Sequence, residues 1–230
     1  MQDQPLIATQ NVGVRFTVKQ ARNKKTNFWA IRGIDSEIFP GDVLGIVGRN
    51  GSGKSTYARL LAGIYEPSEG TIAREVEPTL LSLGTGFNNA LTGRQNIYLN
   101  GAYHQMSRTQ IAAIEHDVIE FAELEEFIDI PIKHYSSGMR ARLGFSIATF
   151  QRPRVLILDE VLSTGDRFFR SKAIQKVRDM MHEADAVVVV SHQESTIVEL
   201  CNRAILLEKG QTMEAGNPSD ILETYRSLSK

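Results

Sequence analysis

Cysteine is almost absent from this chain. Cys201 is the only one in 230 residues, which excludes an intrachain disulfide framework and any multi-cysteine metal site and fits a reducing compartment. Long apolar runs are missing too. Stretches such as AVVVV (Ala186–Val190) fall far below the roughly 18 to 20 residues needed to cross a bilayer, and MQDQPLIATQ at the N-terminus lacks the basic flank and apolar core of a cleavable signal. Charge of one sign is also lacking. Lys plus Arg number 26 against 27 Asp plus Glu, a formal net charge of -1, so binding to nucleic acid through a basic face is not expected. Repeats and low-complexity segments are absent. What is present is a hydrophobic content of 42%, enough for a sizeable core, over a length that suits one large domain or one domain with an inserted subdomain. These properties describe a chain that stays in the cytoplasm or sits on a membrane through a partner.

The hydrophobic pattern alternates between strand and helix. A strand is expected near Val12–Val18, then an exposed polar loop KQARNKKTN (Lys19–Asn27), a returning strand AIRGIDSEIF and a turn at Pro40-Gly41. DVLGIVG reads as a buried parallel strand with a helix following from Lys54. Ser107 and Gln110 form a capping box ahead of Ile111, Ile114, Val118 and Phe121, spaced as one helix face. RVLILDE and DAVVVVSH read as buried strands separated by a helix starting near Asp166. RAILLEKG and QTMEAG read as a hairpin, and NPSDILETYRSL as a closing helix capped by Asn217 with Pro218 in its first turn. The expected fold class is α/β around a largely parallel sheet, with a core over 1–90 and 151–230 and a mainly helical subdomain over about 91–150.

GRNGSGKST, Gly48 to Thr56, matches the phosphate-loop pattern of Gly, four residues, then Gly-Lys-Ser/Thr. By composition a chance match in this length is about one in a hundred, and the required strand before it and helix after it are both expected here. Gly48, Gly51 and Gly53 let the backbone wrap closely around a phosphate. Arg49 and Asn50 complete the loop and Thr56 follows it. Lys54 would reach the β- and γ-phosphates and the Ser55 hydroxyl would ligate Mg²⁺. VLILDE ends an apolar strand in two carboxylates. Asp159 is placed to hold Mg²⁺, through water, and Glu160 to take a proton from an attacking water. His192, after AVVVVS at another strand end, can sit where parallel α/β sheets bind ligands and hydrogen-bond the γ-phosphate. His104, His116, His134 and His182 have no such context and read as surface or structural.

A second anion cradle is written at HYSSGMRARLGFSIA (His134–Ala148). Its serines and glycine resemble a helix start, where backbone N–H groups and the dipole favour an anion. Met139, Leu143, Ile147 and Phe150 follow as a buried stripe, with Arg140 and Arg142 off it, facing water.

Taken in order, the phosphate loop, YSSGM (Tyr135–Met139), the strand ending in Asp159-Glu160, STGD ending in Asp166, and His192 resemble the ATPase subunit of an ATP-binding cassette (ABC) transporter over nearly the whole chain. The resemblance implies a P-loop ABC nucleotide-binding domain: a largely parallel sheet, an antiparallel β region and an inserted helical subdomain. It implies ATP and Mg²⁺ as cofactors. Lys54, Glu160 and His192 would be catalytic, Asp166 would lie in the loop facing the opposite subunit, and Phe16 would stack on adenine or simply belong to the core, with Trp29 as runner-up for the stacking role. The signature departs from the usual Leu-Ser-Gly-Gly-Gln, and no glutamine occurs between Thr79 and Phe87. Both departures, together with LGTGFNNALTGRQNIYLNG, resemble the branch that exports bacterial polysaccharides: capsule, lipopolysaccharide O-antigen and teichoic acid.

That resemblance implies two copies facing head to tail, with Ser136, Ser137 and Gly138 of one copy on the other's ATP and Met139 left to packing. A dimeric transmembrane permease would carry a glycolipid across, with LTGRQNIYL (Leu91–Leu99) near the permease or simply packed in the subdomain. The chain would lie on the cytoplasmic face of the inner membrane. No nucleic-acid partner and no appended carbohydrate-binding domain are expected. The competing classes are an envelope-regulating ABC ATPase that transports nothing and an ABC transporter of another substrate. The stretch from Lys54 to Ser137 leaves no room for the long coiled coil of a DNA-repair ATPase, and a translation factor would carry two cassettes.

Overall fold

The computed structural model describes residues 4–19, 25–81, 86–103, 106–150, 152–159 and 167–228. In chain order the elements begin with β1 (Ile7–Lys19), β2 (Lys25–Ile38), β3 (Val43–Val47), α1 (Lys54–Leu61), β4 (Glu69–Arg74) and β5 (Pro78–Leu81). Helices α2 (Gly93–Tyr103), α3 (Arg108–Ala122) and α4 (Ser137–Thr149) follow. The chain then continues through β6 (Val155–Asp159), α5 (Arg167–Glu183), β7 (Ala186–Val190), α6 (Glu194–Leu200), β8 (Arg203–Glu208), β9 (Gln211–Gly216) and α7 (Pro218–Leu228). It divides into two compact units. One comprises Met1–Leu80, Pro153–Glu160 and Glu183–Lys230, the other Leu81–Arg152 and Val161–His182.

The first unit holds two sheets. In the larger, ordered β5-β6-β7-β3-β8-β9, strands β6, β7, β3 and β8 run parallel and β9 turns back antiparallel on β8. β7 is valine after alanine and buried at every position, as a strand covered on both faces requires. The β8–β9 hairpin closes through Lys209 and Gly210, both at positive φ (49° and 81°), a tight turn whose twist matches that of its strands. The smaller sheet is antiparallel in the order β2-β1-β4. The polar loop expected over Lys19–Asn27 is shorter than that, because β2 already begins at Lys25. Thr17 faces Asn27 across the ladder and its Oγ1 donates to Asn27 Oδ1 at 2.7 Å, so backbone pairing carries the strands into polar sequence. Ile46, Val188, Val190, Ile157 and Ile205 from the large sheet share one core with Val12, Val14, Ile31 and Ile34 from the small one and Leu60 and Leu61 from α1.

The second unit is helical. Ile97, Ile111, Val118, Leu143 and Ile147 form its core with Met139 and Phe150 at the margin, so the apolar stripes expected on α3 and α4 are joined in one core. The Ser107–Gln110 capping box is formed, worth about 1 kcal/mol. The unit is wider than the 91–150 stretch expected. Phe169 of α5 joins Phe121, Phe145 and Phe150 in a ring cluster with centroids 5.7–6.1 Å apart, and Asn88 N donates to Asn96 Oδ1 at 2.9 Å. The expectation that Arg140 and Arg142 face water is corrected. Both are half-buried with an Nε shielded from solvent, and Arg142 Nη1 donates to Glu123 Oε2 at 3.0 Å. Every residue from Leu143 to Thr149 is buried, since Phe145 enters the aromatic cluster on a side that a single apolar stripe would leave open. In LTGRQNIYL, Arg94 grips both oxygens of Asp129 (2.7 and 3.0 Å) and also donates to Glu115. The guanidinium holds the Asp129 carboxyl below the usual carboxylate range. Asn96 is fully buried and spends its amide on the carbonyls of Asn88, Leu91 and Thr92.

Candidate nucleotide site

Within the first unit, β6, β7 and β3 stand side by side in register, with Asp159 opposite Val190 and Val190 opposite Ile46. Their carboxyl ends therefore line up. β3 runs into Gly48–Thr56, β6 ends at Asp159, and β7 leads into Ser191 and His192. Open parallel sheets bind ligands at this end.

The loop after β3 is pressed against its neighbours. A Cβ at Gly48 would lie 2.3 Å from Leu207 O and 2.4 Å from Ser52 Oγ. Gly53 has φ of +105°, and a Cβ there would lie 2.5 Å from Ile31 Cγ2 and 2.7 Å from Ala30 O. Neither position has room for a side chain. Ser52 N donates to Arg49 O, Gly210 N to Ser52 O and Arg32 N to Gly210 O, at 3.1, 3.0 and 2.7 Å. The loop is thereby tied in series to the β8–β9 turn and to β2. α1 starts directly after it, adding a helix N-terminus to the cradle.

Three predicted side chains meet there. Lys54 is buried, and its ammonium donates to the carbonyls of Gly48 and Arg49 at 2.8 and 3.0 Å, inside the loop. Ser55 Oγ donates to Asp159 Oδ1 at 3.1 Å. One hydroxyl and one carboxylate so joined suit Mg²⁺, which keeps most of its shell for water and phosphate oxygens. Among the described residues no cluster of three or more His, Cys, Asp or Glu could hold a metal by itself. His192 is exposed and shares a recess with Gly48, Glu194, Leu222 and Tyr225. Arg49, Asn50 and Gly51 are exposed, and Ser55 and Thr56 half-buried. Ser52, which the sequence reading passed over, has a buried hydroxyl with no protein partner, the kind of orphan polar atom a bound ligand explains. Its one sequence signal is its place within the loop. Glu160 and Asp166 lie outside the described residues.

Phe16 and Trp29 sit on the small sheet and face different neighbours. Phe16 pairs with Phe28 across the strands, its ring 5.7 Å from Phe28 and edge-on to Tyr65 at 5.4 Å, and it packs against the core. The Trp29 ring is engaged by the guanidinium groups of Arg15 and Arg32 at 5.4 and 4.9 Å. Phe28, which the sequence reading did not single out, is the more exposed of the Phe16–Phe28 pair, at 47%.

In the second unit, α4 opens as predicted. Ser136 is its N-cap, and its Oγ accepts from Met139 N at 3.2 Å. Ser136, Ser137 and Gly138 are exposed.

A family model described as "ABC transporter" matches residues 31–163. The chain belongs to the ABC transporter family. Among ABC relatives it is 41% identical over 204 residues to the O-antigen export system ATP-binding protein RfbB of Klebsiella pneumoniae, covering 88% of this chain and 83% of that one. It is 39% identical over 207 residues to the teichoic acids export ATP-binding protein TagH of Enterococcus faecalis, covering 90% of this chain but only 46% of the relative. The fold matches a solved ATP-binding subunit of an ABC transporter with a TM-score of 0.76 at 16% identity, over 98% of this chain and 100% of that one. It also matches a dimeric ATP-binding cassette bound to ADP and Pi, with a TM-score of 0.71 at 20% identity over 92% and 98% of the two chains. The large sheet with its antiparallel edge, the small antiparallel sheet and the helical unit are thus those of an ABC ATPase. No described helix is long and apolar enough to cross a membrane.

Proposed function

We propose that this chain is the ATP-binding, ATP-hydrolysing subunit of an exporter that moves a polysaccharide, lipid-linked and of the O-antigen, teichoic acid or capsule type, across the bacterial cytoplasmic membrane. The observation that carries the ATPase part is the meeting of Lys54, Ser55, Asp159 and His192 at one end of the parallel sheet, tied by the Ser55–Asp159 hydrogen bond. The two relatives named for O-antigen and teichoic acid export support the cargo class.

On this reading the loop N–H groups and the Lys54 ammonium bind the β- and γ-phosphates and offset their charge. Ser55 and Asp159 would hold Mg²⁺, which when bound neutralises charge building between the β- and γ-phosphates. Glu160 takes the proton of the attacking water, and His192 donates to the γ-phosphate. Phe16 stacks on adenine with Phe28 beside it. Ser136, Ser137 and Gly138 of a second copy close on the γ-phosphate, so nucleotide favours the closed dimer and hydrolysis releases it. The chain sits on the cytoplasmic face of the membrane through a dimeric permease, and the glycolipid crosses through that permease.

Capture of the tagged chain from detergent-solubilised membranes tests this. The expected result is a co-purifying polytopic membrane protein and ATPase activity stimulated by an extracted polyprenyl-linked glycan. Recovery of the chain alone, with no membrane partner, overturns the transport reading. A complex whose activity responds to another lipid or solute overturns the cargo class.

A further inference from the structure

The closing helix α7 touches the site from both sides, and nothing so far assigns it a role there. Its apolar face is buried through Ile221 and Leu222. Leu222 and Tyr225 line the recess that also holds Gly48 and His192. From the phosphate loop, the Arg49 guanidinium donates to the carbonyl of Leu228, one of the orphan acceptors at the end of α7, where the helix dipole favours a cation. From the segment after β7, Glu194 is held by Arg226, whose Nε and Nη2 lie 2.8 and 2.6 Å from Glu194 Oε2. Glu194 opens α6, two residues after His192. Between them, Gln193 N donates to Ser191 Oγ at 3.0 Å, which closes the backbone tightly around the histidine.

We infer that Arg226 is a positioning residue for ATP hydrolysis: it acts through Glu194 to hold the His192 segment at the height of the phosphate loop. The inference rests on the ATPase reading above. Arg226 is exposed at 63% and Glu194 at 34%, and ion pairs this exposed add about 0–1 kcal/mol to stability. Folding therefore gives little reason for the pair. Geometry gives a better one, since a catalytic group displaced by about 1 Å can lose about 10²-fold in rate. The seven-residue α6 has no side-chain cap of its own, Gln193 making no such bond, so its first turn depends on outside partners for its place.

The test compares the unaltered chain with Arg226→Glu, Arg226→Ala and the exchanged pair Glu194→Arg/Arg226→Glu, each purified with its permease. Arg226→Glu is expected to lower kcat by between about threefold and 10²-fold, with KM for ATP within about twofold and the melting temperature nearly unmoved. Arg226→Ala should fall between the two, and the exchanged pair should recover most of the lost kcat. A merely structural contact would move the melting temperature and leave kcat of the folded fraction alone. Unchanged kcat in Arg226→Glu, or a loss that the exchange does not restore, overturns the inference while leaving the ATPase reading standing. An unaltered complex that hydrolyses no ATP overturns that reading, and this inference with it.

Discussion

The chain builds two helix N-termini fit for an anion, and they differ in what surrounds them. The one at α1 is backed by polar and charged groups of its own unit. It has a loop with no room for side chains at Gly48 and Gly53, a buried ammonium at Lys54, and a hydroxyl joined to a carboxylate at Ser55 and Asp159. The one at α4 has exposed serines, one of them already used as the cap, and no such ammonium within it. A phosphate needs both backbone donors and compensating charge to leave water. The α1 cradle has both, whereas the α4 cradle has only the donors, and on the proposed reading the phosphate it meets has its charge offset in the other copy. The lesson is that a shared local motif sets geometry, and its surroundings set whether it binds alone.

Four substitutions put that contrast under load. The largest effect is expected from Glu160→Gln, which removes the base while sparing both cradles. ATP turnover of the permease complex should fall by about 10²- to 10⁴-fold with nucleotide still bound. Sedimentation with ATP should then show a trapped dimer, and near-normal turnover would remove Glu160 from the mechanism. Next is Lys54→Ala, which strips the α1 cradle of its charge. Titration with a fluorescent nucleotide should show affinity weaker by about 10- to 100-fold, the worth of a charge-assisted hydrogen bond of about 1.5–3 kcal/mol. Unchanged affinity would break the claim that this cradle binds by itself. The smallest effects come from the α4 cradle, and they should separate. Ser136→Ala should cost about 1 kcal/mol of stability through the lost cap, read by urea unfolding. Ser137→Ala should leave both stability and monomer affinity for nucleotide unchanged and reduce the ATP-dependent dimer in the Glu160→Gln background. If Ser137→Ala weakened binding by the monomer, the α4 cradle would be acting within its own chain.

Much of this was legible beforehand because the signals are local. Phosphate-loop spacing, the capping box at Ser107, the Asn217 cap and the β-run AVVVV each carry their information within a few residues. The Arg140 and Arg142 reading failed for a reason of the opposite kind. Helical spacing marks one apolar stripe, but α4 is covered on more than one side because Phe121 and Phe169, distant in sequence, bring rings against Phe145. Cys201 is a similar case. Its burial pushes the thiol up to about 12, and sequence held no sign that Gly45 would leave it room: a Cβ at Gly45 would come within 3.1 Å of its Sγ.

Residue order alone marked out the candidate groups, since Lys54, Ser55, Asp159, Glu160 and His192 stand out by type and by their place after apolar strands. Tertiary structure decided which of the described ones meet. Parallel pairing of β6 and β3 on either side of β7 brings Asp159 to Ser55 across 104 positions of chain. It likewise sets α7, the last helix, against the loop that follows β3. Sheet order is a choice among long-range pairings of similar apolar strands, and a strand's own residues do not state which neighbour it will take.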